Sequence, residues 1–565
     1  MTSSVAAGLV IVLPDTNKPA VTLKYPLVNA RLTNGVTYTN AGVTAVAPNF
    51  VFSGLATDNG LVTNVFLKKI YPTVDAPINA TLYGALAGSK TWTNLLTLVN
   101  GTNTYQVWAA DYADNLSVTS TISFFFVNQS TLTVTTNGYG STTNVGVTTY
   151  GKATNGALLE VGRNYQISAL PMPNNIFSNW LMVDAISTNI ASTNLLTFRM
   201  SQGLSLTAIF VTNPVLTVTG SYNGLFYQTN LADLPAVTVP TAGFLGNVVV
   251  TTNRVFSGSL SMLGSSYGFA GTFDLSGNAV VNVPRSLTRY TPASSTLTLN
   301  LHLDWATGSK EITGTVVDSV NGWSAPLVAD LAVYNAGHPY PTPGRATIII
   351  PYAPGSPFSS PGGYSYLSVT NNTNGLATWS GKLADGTAVS GAVPISQDGN
   401  WPLYANLYLG RGILQGWLNI TNGTQAGAVS WVRQNFAPGV YTNGFTNLVS
   451  ASGLSYTNPG VNHAVLSQTN LTLRIGDADL TPTPLTWHLG LKTNNNTFVV
   501  LSGSAANLLN GSINPVDGTV TVNFVPTGRS TYTPVFGAVQ QGTTNAFGFF
   551  VGATNSGSLW LHSYP

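Results

Sequence analysis

From Val215 onward the chain keeps returning to one five-residue pattern: an apolar residue, any residue, Gly, any residue, an apolar residue. It stands at Phe256–Leu260, Phe269–Phe273, Ile312–Val316, Trp379–Leu383, Val389–Val393, Leu414–Leu418 and Leu509–Ile513. Side chains of a strand alternate between its faces, so both apolar residues and the central Gly share one face. The Gly leaves a notch there, which a large side chain from a neighbouring strand fills, or it lets the strand bend. Asp385-Gly386 and Asp517-Gly518 supply hairpin turns between such strands. The pattern predicts β-barrel or sandwich construction: two related barrels dividing near 340–375, or one large meandering barrel. The Pro- and Gly-rich stretch 338–363 reads as a long loop, functional or inter-domain.

Composition extends this reading to the whole chain. Charged residues make up 7% of the 565 residues, against about 25% in ordinary globular proteins. Thr, Asn, Gly and Val take their place; β-branched side chains suit a pleated surface, and Asn and Gly suit turns. The fold class expected is all-β, in tandem modules. A net charge of +2 with no basic cluster excludes a nucleic-acid groove. No apolar run is long enough for a membrane helix. The chain has no Cys, which removes disulfides, thiolate metal sites and Cys nucleophiles together. An uncharged, Thr- and Asn-rich surface fits an extracellular or cell-surface protein.

Between 18 and 128, alternating strands broken by turns have sandwich spacing. Gly54-Leu55-Ala56-Thr57-Asp58-Asn59, Gly101-Thr102-Asn103-Thr104-Tyr105 and Ala109-Ala110-Asp111-Tyr112-Ala113-Asp114-Asn115 resemble bacterial immunoglobulin-like repeats of surface proteins. Such modules are spacers or adhesive units, as the resemblance implies. Asp58, Asp111 and Asp114 sit in turns that can meet at one end of such a sandwich, where their oxygens would suit Ca²⁺. The alternative is that each Asp caps its own turn. No cofactor is expected, with calcium at these Asp residues as the alternative.

Residues 129–214 change style. Thr131–Gly140, Tyr165–Ala169, Phe177–Trp180, Leu196–Met200 and Leu206–Phe210 follow one another in an order similar to the internalin-type B-repeat, a small β-grasp-like module. Asn179 stands where that family has Gly. Trp180 is expected in the core. Barrel or sandwich domains at 215–355 and 356–565 complete the series, and 1–17 is an N-terminal apolar strand and linker. That C-terminal half resembles β-rich regions of large secreted bacterial proteins.

The run Val5–Leu13, with Val5, Leu9, Val10, Ile11, Val12 and Leu13, is apolar on both faces and stopped by Pro14. Such a strand needs neighbours on both sides. It is an ordinary first strand of its own chain, a strand that completes the sheet of an identical copy, or a remnant of a targeting segment. Strand addition makes the chain a subunit of an extracellular fibre or layer.

Catalytic chemistry is poorly represented. There are two Glu, Glu160 and Glu311, and a glycosidase needs paired carboxylates. The five His show no metal-ligand spacing, although His302 and Asp304 share one strand face. No nucleophile elbow, phosphate loop or dinucleotide fingerprint occurs, and an enzyme is not expected. Glycan binding is the alternative function: Trp401, Tyr404 and Tyr408 lie in an aromatic-dense stretch, with Tyr404 and Tyr408 on one strand face as core or sugar platform.

Overall fold

The computed structural model describes residues 13–40, 42–84, 88–145, 153–228, 237–285, 295–353, 358–437, 439–480, 484–503, 508–526 and 530–564. Among these, strands dominate and the only helices are short 3-10 turns. None is long and apolar enough to cross a membrane. The chain divides into two compact units, 1–213 and 214–565.

The first unit opens with a sandwich. One sheet orders its strands Ala20–Tyr25, Asn49–Thr57, Ser89–Thr97 and Thr81–Tyr83. The other orders Arg31–Thr33, Ser120–Val127, Gly101–Asp111, Val62–Tyr71 and Ile78–Asn79. Arg31–Thr33 runs parallel to Ser120–Val127, and the other pairs are antiparallel. Two antiparallel sheets exchanging strands in this order are the immunoglobulin-like arrangement. Alternate residues turn inward, so Phe50, Phe52, Trp92, Tyr105 and Phe124 form the core that a cysteine-free sandwich needs.

A second small module follows. Thr133–Asn137, Ser205–Thr212, Asn175–Val183 and Thr188–Ala191 form one sheet, Gly140–Asn144, Asn164–Pro171 and Leu195–Arg199 another. They share a core in which Trp180 is fully buried, as expected from its sequence. Thr133–Asn137 lies parallel to Ser205–Thr212. The two modules are joined through Asn34, which donates to the Gln129 carbonyl (2.8 Å) and accepts from its N–H (2.6 Å). Glu160 pairs with both Arg31 and Arg163.

The second unit corrects the expected division. It holds three antiparallel eight-stranded sheets, not one or two barrels. In each, strands follow one another in space as in sequence, and the last pairs with the first: Trp323–Leu331 with Gly220–Tyr227, Phe445–Tyr456 with Gly344–Ile350, Ser556–Ser563 with Asn470–Gly476. We call these barrels I, II and III and number their strands one to eight. The hydrogen-bonded ring is interrupted between strands four and five in barrels I and II, and between three and four in barrel III. First strands begin 124 residues apart (344 − 220) and then 126 (470 − 344). The expected border at 355/356 therefore falls inside barrel II, between its strands Gly344–Ile350 and Ser365–Asn371, and 338–363 is not one loop.

The barrels repeat in detail. Between strands two and three, the turn closes on a residue of positive φ, Arg254 (64°), Gly375 (70°) and Asn496 (53°). Its carbonyl accepts the N–H of Phe273, Ile395 and Ile513 in turn, at 2.8–2.9 Å. Between strands four and five the same device uses Gly277, Gly399 and Gly518, whose carbonyls accept from Leu303, Ile420 and Val539. The notch reading holds on strand four. A Cβ on Gly271, Gly391 or Gly511 would stand 2.7, 2.5 or 2.7 Å from the ring of Phe256, Trp379 or Phe498 on strand three. At Gly314, Gly381 and Gly416 the close neighbour is a backbone carbonyl instead.

All three interiors are filled by side chains, with Tyr222, Phe256 and Phe273 in barrel I, Trp379 and Trp401 in barrel II, and Trp487, Phe524 and Phe550 in barrel III. An eight-stranded barrel is just narrow enough for this. Each large side chain so buried contributes about 1.5–3 kcal/mol.

Candidate functional site

Three carboxylates converge at one end of the immunoglobulin-like sandwich. Asp15 precedes the first strand, Asp58 follows the end of Asn49–Thr57, and Asp111 ends Gly101–Asp111. Oxygens of these three lie within 4.8 Å of one another. Two of the three residues expected from sequence are thus brought together, Asp58 and Asp111. The third is not: Asp114 is exposed in the following turn at φ 59°, and Asp15 takes its place. The signal for Asp15 was weak because it lies in the segment read as a strand and linker outside the sandwich, and only the folded chain returns it to the sandwich end, where Asn115 Nδ2 holds its carbonyl (3.0 Å).

The three differ in how they are satisfied. Burial works against the charge on Asp111, but the Asn115 amide and the N–H groups of Asn115 and Ala113 outweigh it and hold its carboxyl below the ordinary range. Asp15 Oδ1 accepts the Asn17 N–H (3.0 Å). Asp58 Oδ2 accepts the Gly60 N–H (2.8 Å), while Asp58 Oδ1 is shut off from solvent with no donor. A bare buried carboxylate oxygen beside two further carboxylates fits a hard cation with oxygen ligands. Calcium suits this donor set, and Asp15, Asp58 and Asp111 would hold it.

The aromatic residues expected as a sugar platform lie elsewhere than on a surface. Trp401 is fully buried in the core of barrel II. Tyr404 stacks on Phe244 of barrel I (5.6 Å between rings), and burial pushes its phenol far up. Tyr408 donates to Asp385 (2.6 Å) and accepts from Trp431 Nε1 (3.1 Å), and Arg433 lies over its ring at 4.5 Å. Burial, and then the Asp385 charge, raise its phenol too. These three are packing residues: Trp401 and Tyr408 pack within barrel II itself, and Tyr404 is covered by Phe244 of barrel I.

Other candidates also resolve into structure. His302 Nδ1 sits 3.0 Å from Asn278 Oδ1, while Asp304 is engaged by Thr307 and Ser309 in its own turn, so the two form no joint site. Glu311 stands opposite Asp330 on the adjacent strand of barrel I. Burial, then the Glu311 charge, lift Asp330 to about 6 against hydrogen bonds from Ser396 and Asn400 of barrel II. Burial also raises Glu311. This carboxylate pair faces a barrel seam. Of the apolar segment, Val5, Leu9, Val10, Ile11 and Val12 lie outside the described residues; Leu13 is described and is 80% exposed.

No protein-family model matches the chain, and no curated protein matches it. Among solved structures it is similar to the fibronectin(III)-like modules of Clostridium thermocellum CbhA, at 10% identity over 34% of this chain and 94% of that one, with a TM-score of 0.13. It is also similar to the sialic acid binding region of a Streptococcus sanguinis SK1 adhesin, at 12% identity over 77% and 96%, with a TM-score of 0.15. Titin immunoglobulin fragments I67–I69 align at 10% identity over 68% and 99%, with a TM-score of 0.14. Alignments this loose carry no weight for function, and the internalin-type likeness finds no counterpart in them. Strand order alone therefore defines the class: a tandem-module all-β protein with an immunoglobulin-like sandwich, a second small module and a triplicated eight-stranded barrel.

Proposed function

We propose that this protein is an extracellular structural subunit of a bacterial surface fibre or layer, built to resist rather than to react. The observation that carries this reading is the triplicated barrel, whose interiors are filled with side chains and whose turns repeat the same hydrogen bonds. Eight-stranded sheets with side-chain-filled interiors supply stiffness. The low charge and missing cysteines point the same way, since sheet area does the work that disulfides do in many exported proteins. Calcium at Asp15, Asp58 and Asp111 would relieve the mutual repulsion of three carboxylates and tie the segment before the first strand to the sandwich.

In this reading the subunits join through Val5–Leu13, which adds as a strand to a neighbouring copy. The exposed edge strand Thr188–Ala191, with Ile190 largely exposed, is a sheet edge of the required kind. Sedimentation and electron microscopy of the full chain in calcium and in chelator test it together with a deletion of residues 1–14. Polymers that vanish in the deletion while the monomer melts normally support the reading. A full-length chain that stays monomeric under every condition overturns it.

A further inference from the structure

Barrels I and II each seat the next barrel on the outward faces of their strands one and two. The seat is an aliphatic residue on strand one beside an aromatic one on strand two: Leu225 with Phe244, Ile349 with Tyr366. Leu225, Ile349 and Tyr366 are buried, and Phe244 stacks on Tyr404 of the following barrel. In barrel III the register places Arg474 and Thr486 in those positions, both exposed. A further barrel docked there would bury a guanidinium that has no carboxylate partner among the described residues, which is unfavourable. The third face therefore differs in chemistry from the two seats.

It is not a bland end. Opposite Arg474 on strand eight, where barrels I and II carry Val328 and Ser452, stands Trp560, 40% exposed. The next row across the sheet reads His488, Thr472, His562. The His488 ring lies 4.1 Å from that of Tyr564, which is itself 46% exposed, and the Trp560 ring 4.4 Å from that of His562. Asp477, three residues beyond Arg474, is engaged by the Ser558 hydroxyl (2.6 Å). An open indole, a phenol, two imidazoles and a guanidinium with no carboxylate partner among the described residues thus share one three-stranded surface, in a chain where only 7% of residues are charged.

We propose that this face of barrel III binds an acidic polysaccharide. A sugar ring packs its C–H face on Trp560, a uronate carboxylate takes the fork of Arg474, and hydroxyls meet His488, His562 and Thr486. Aromatic rings supply area at low entropic cost, and Arg is the side chain whose donors match a carboxylate in pairs. The Arg474 charge favours an anionic chain over a neutral one. This site is independent of the assembly reading, and polymerisation can fail while binding holds.

Affinity electrophoresis and calorimetry of the full chain with polygalacturonate and hyaluronan, with dextran as the neutral control, test it. The acidic polymers bind at least about tenfold more tightly than dextran, and salt weakens them. Trp560→Ala and Arg474→Gln each lose about tenfold or more with Tm unchanged, while Trp560→Phe keeps most of the affinity. Binding of neither acidic polymer, equal binding of dextran, or indifference to both variants overturns the proposal. So does a dimer in sedimentation that Trp560→Ala dissolves, since the occupant is then a second copy.

Discussion

The seam between barrels I and II and the seam between barrels II and III have one topology and different chemistry. At the first, Asp330 reaches Ser396 and Asn400 beside Glu311, and several polar atoms are buried with no partner: Asn223 Nδ2, the Tyr404 hydroxyl and both amide atoms of Gln415. At the second, Ile349 is 4% exposed, Tyr364 packs on Phe547 (4.9 Å), and the Lys382 ammonium sits 3.2 Å over the Phe536 ring. The Thr347 hydroxyl donates to the Val539 carbonyl. Unpaired buried polar atoms cost stability unless water satisfies them, whereas apolar and aromatic contacts do not depend on pH. One backbone plan thus tolerates a joint built around buried carboxyl groups and unpaired polar atoms and another built on apolar and aromatic contacts around one ammonium, because the outward rows are free of the constraints that fix the barrel interiors.

Three measurements bear on this contrast. Ile349→Ala should cost about 3 kcal/mol in urea unfolding, the ordinary loss for a fully packed Ile; a loss under about 0.5 kcal/mol would show that the second seam does not depend on apolar packing. Acidification should separate the seams next. Asp330 titrates at about 6 in the folded chain and near 3.9 when unfolded. Its contribution to stability is therefore fully present below about pH 4 and lost as pH rises through about 6, worth about 3 kcal/mol. Asp304 and Asp318 are held low and change in the opposite sense, so the quantity to read is wild type minus Asp330→Asn. A difference that does not vary between pH 4 and 7 breaks the comparison. The smallest effect is Tyr404→Phe, which removes a hydroxyl without a partner. It should be neutral or stabilising by up to about 1 kcal/mol, and a loss above that would reveal a bond to that hydroxyl.

Much of the fold was legible because it follows from period and turn chemistry. The sandwich at 18–128, the break near 214 and the buried Trp180 all come from local patterns. Triplication was harder to read. The strand-four glycine follows its strand-three aromatic by 15, 12 and 13 residues (271 − 256, 391 − 379, 511 − 498), so no fixed period survives although the hydrogen bonds do. The site was half legible for a different reason. Asp58 and Asp111 announce themselves in turns, while Asp15 belongs to the group only after the chain has closed on itself. Tyr404 and Tyr408 show a different limit, since their pattern suits core and platform alike and only the fold packs Tyr404 on barrel I and Tyr408 within barrel II.

The sequence by itself determined that this chain makes sheets, where its turns fall and which residues share a strand face, since those depend on residues only a few positions apart. Which face meets water was decided only by the tertiary structure. Ile349 and Arg474 hold corresponding places on the first strands of successive barrels, yet one is sealed under the next barrel and the other lies open beside Trp560. Burial is a property of what arrives from elsewhere in the chain, and no local pattern carries it.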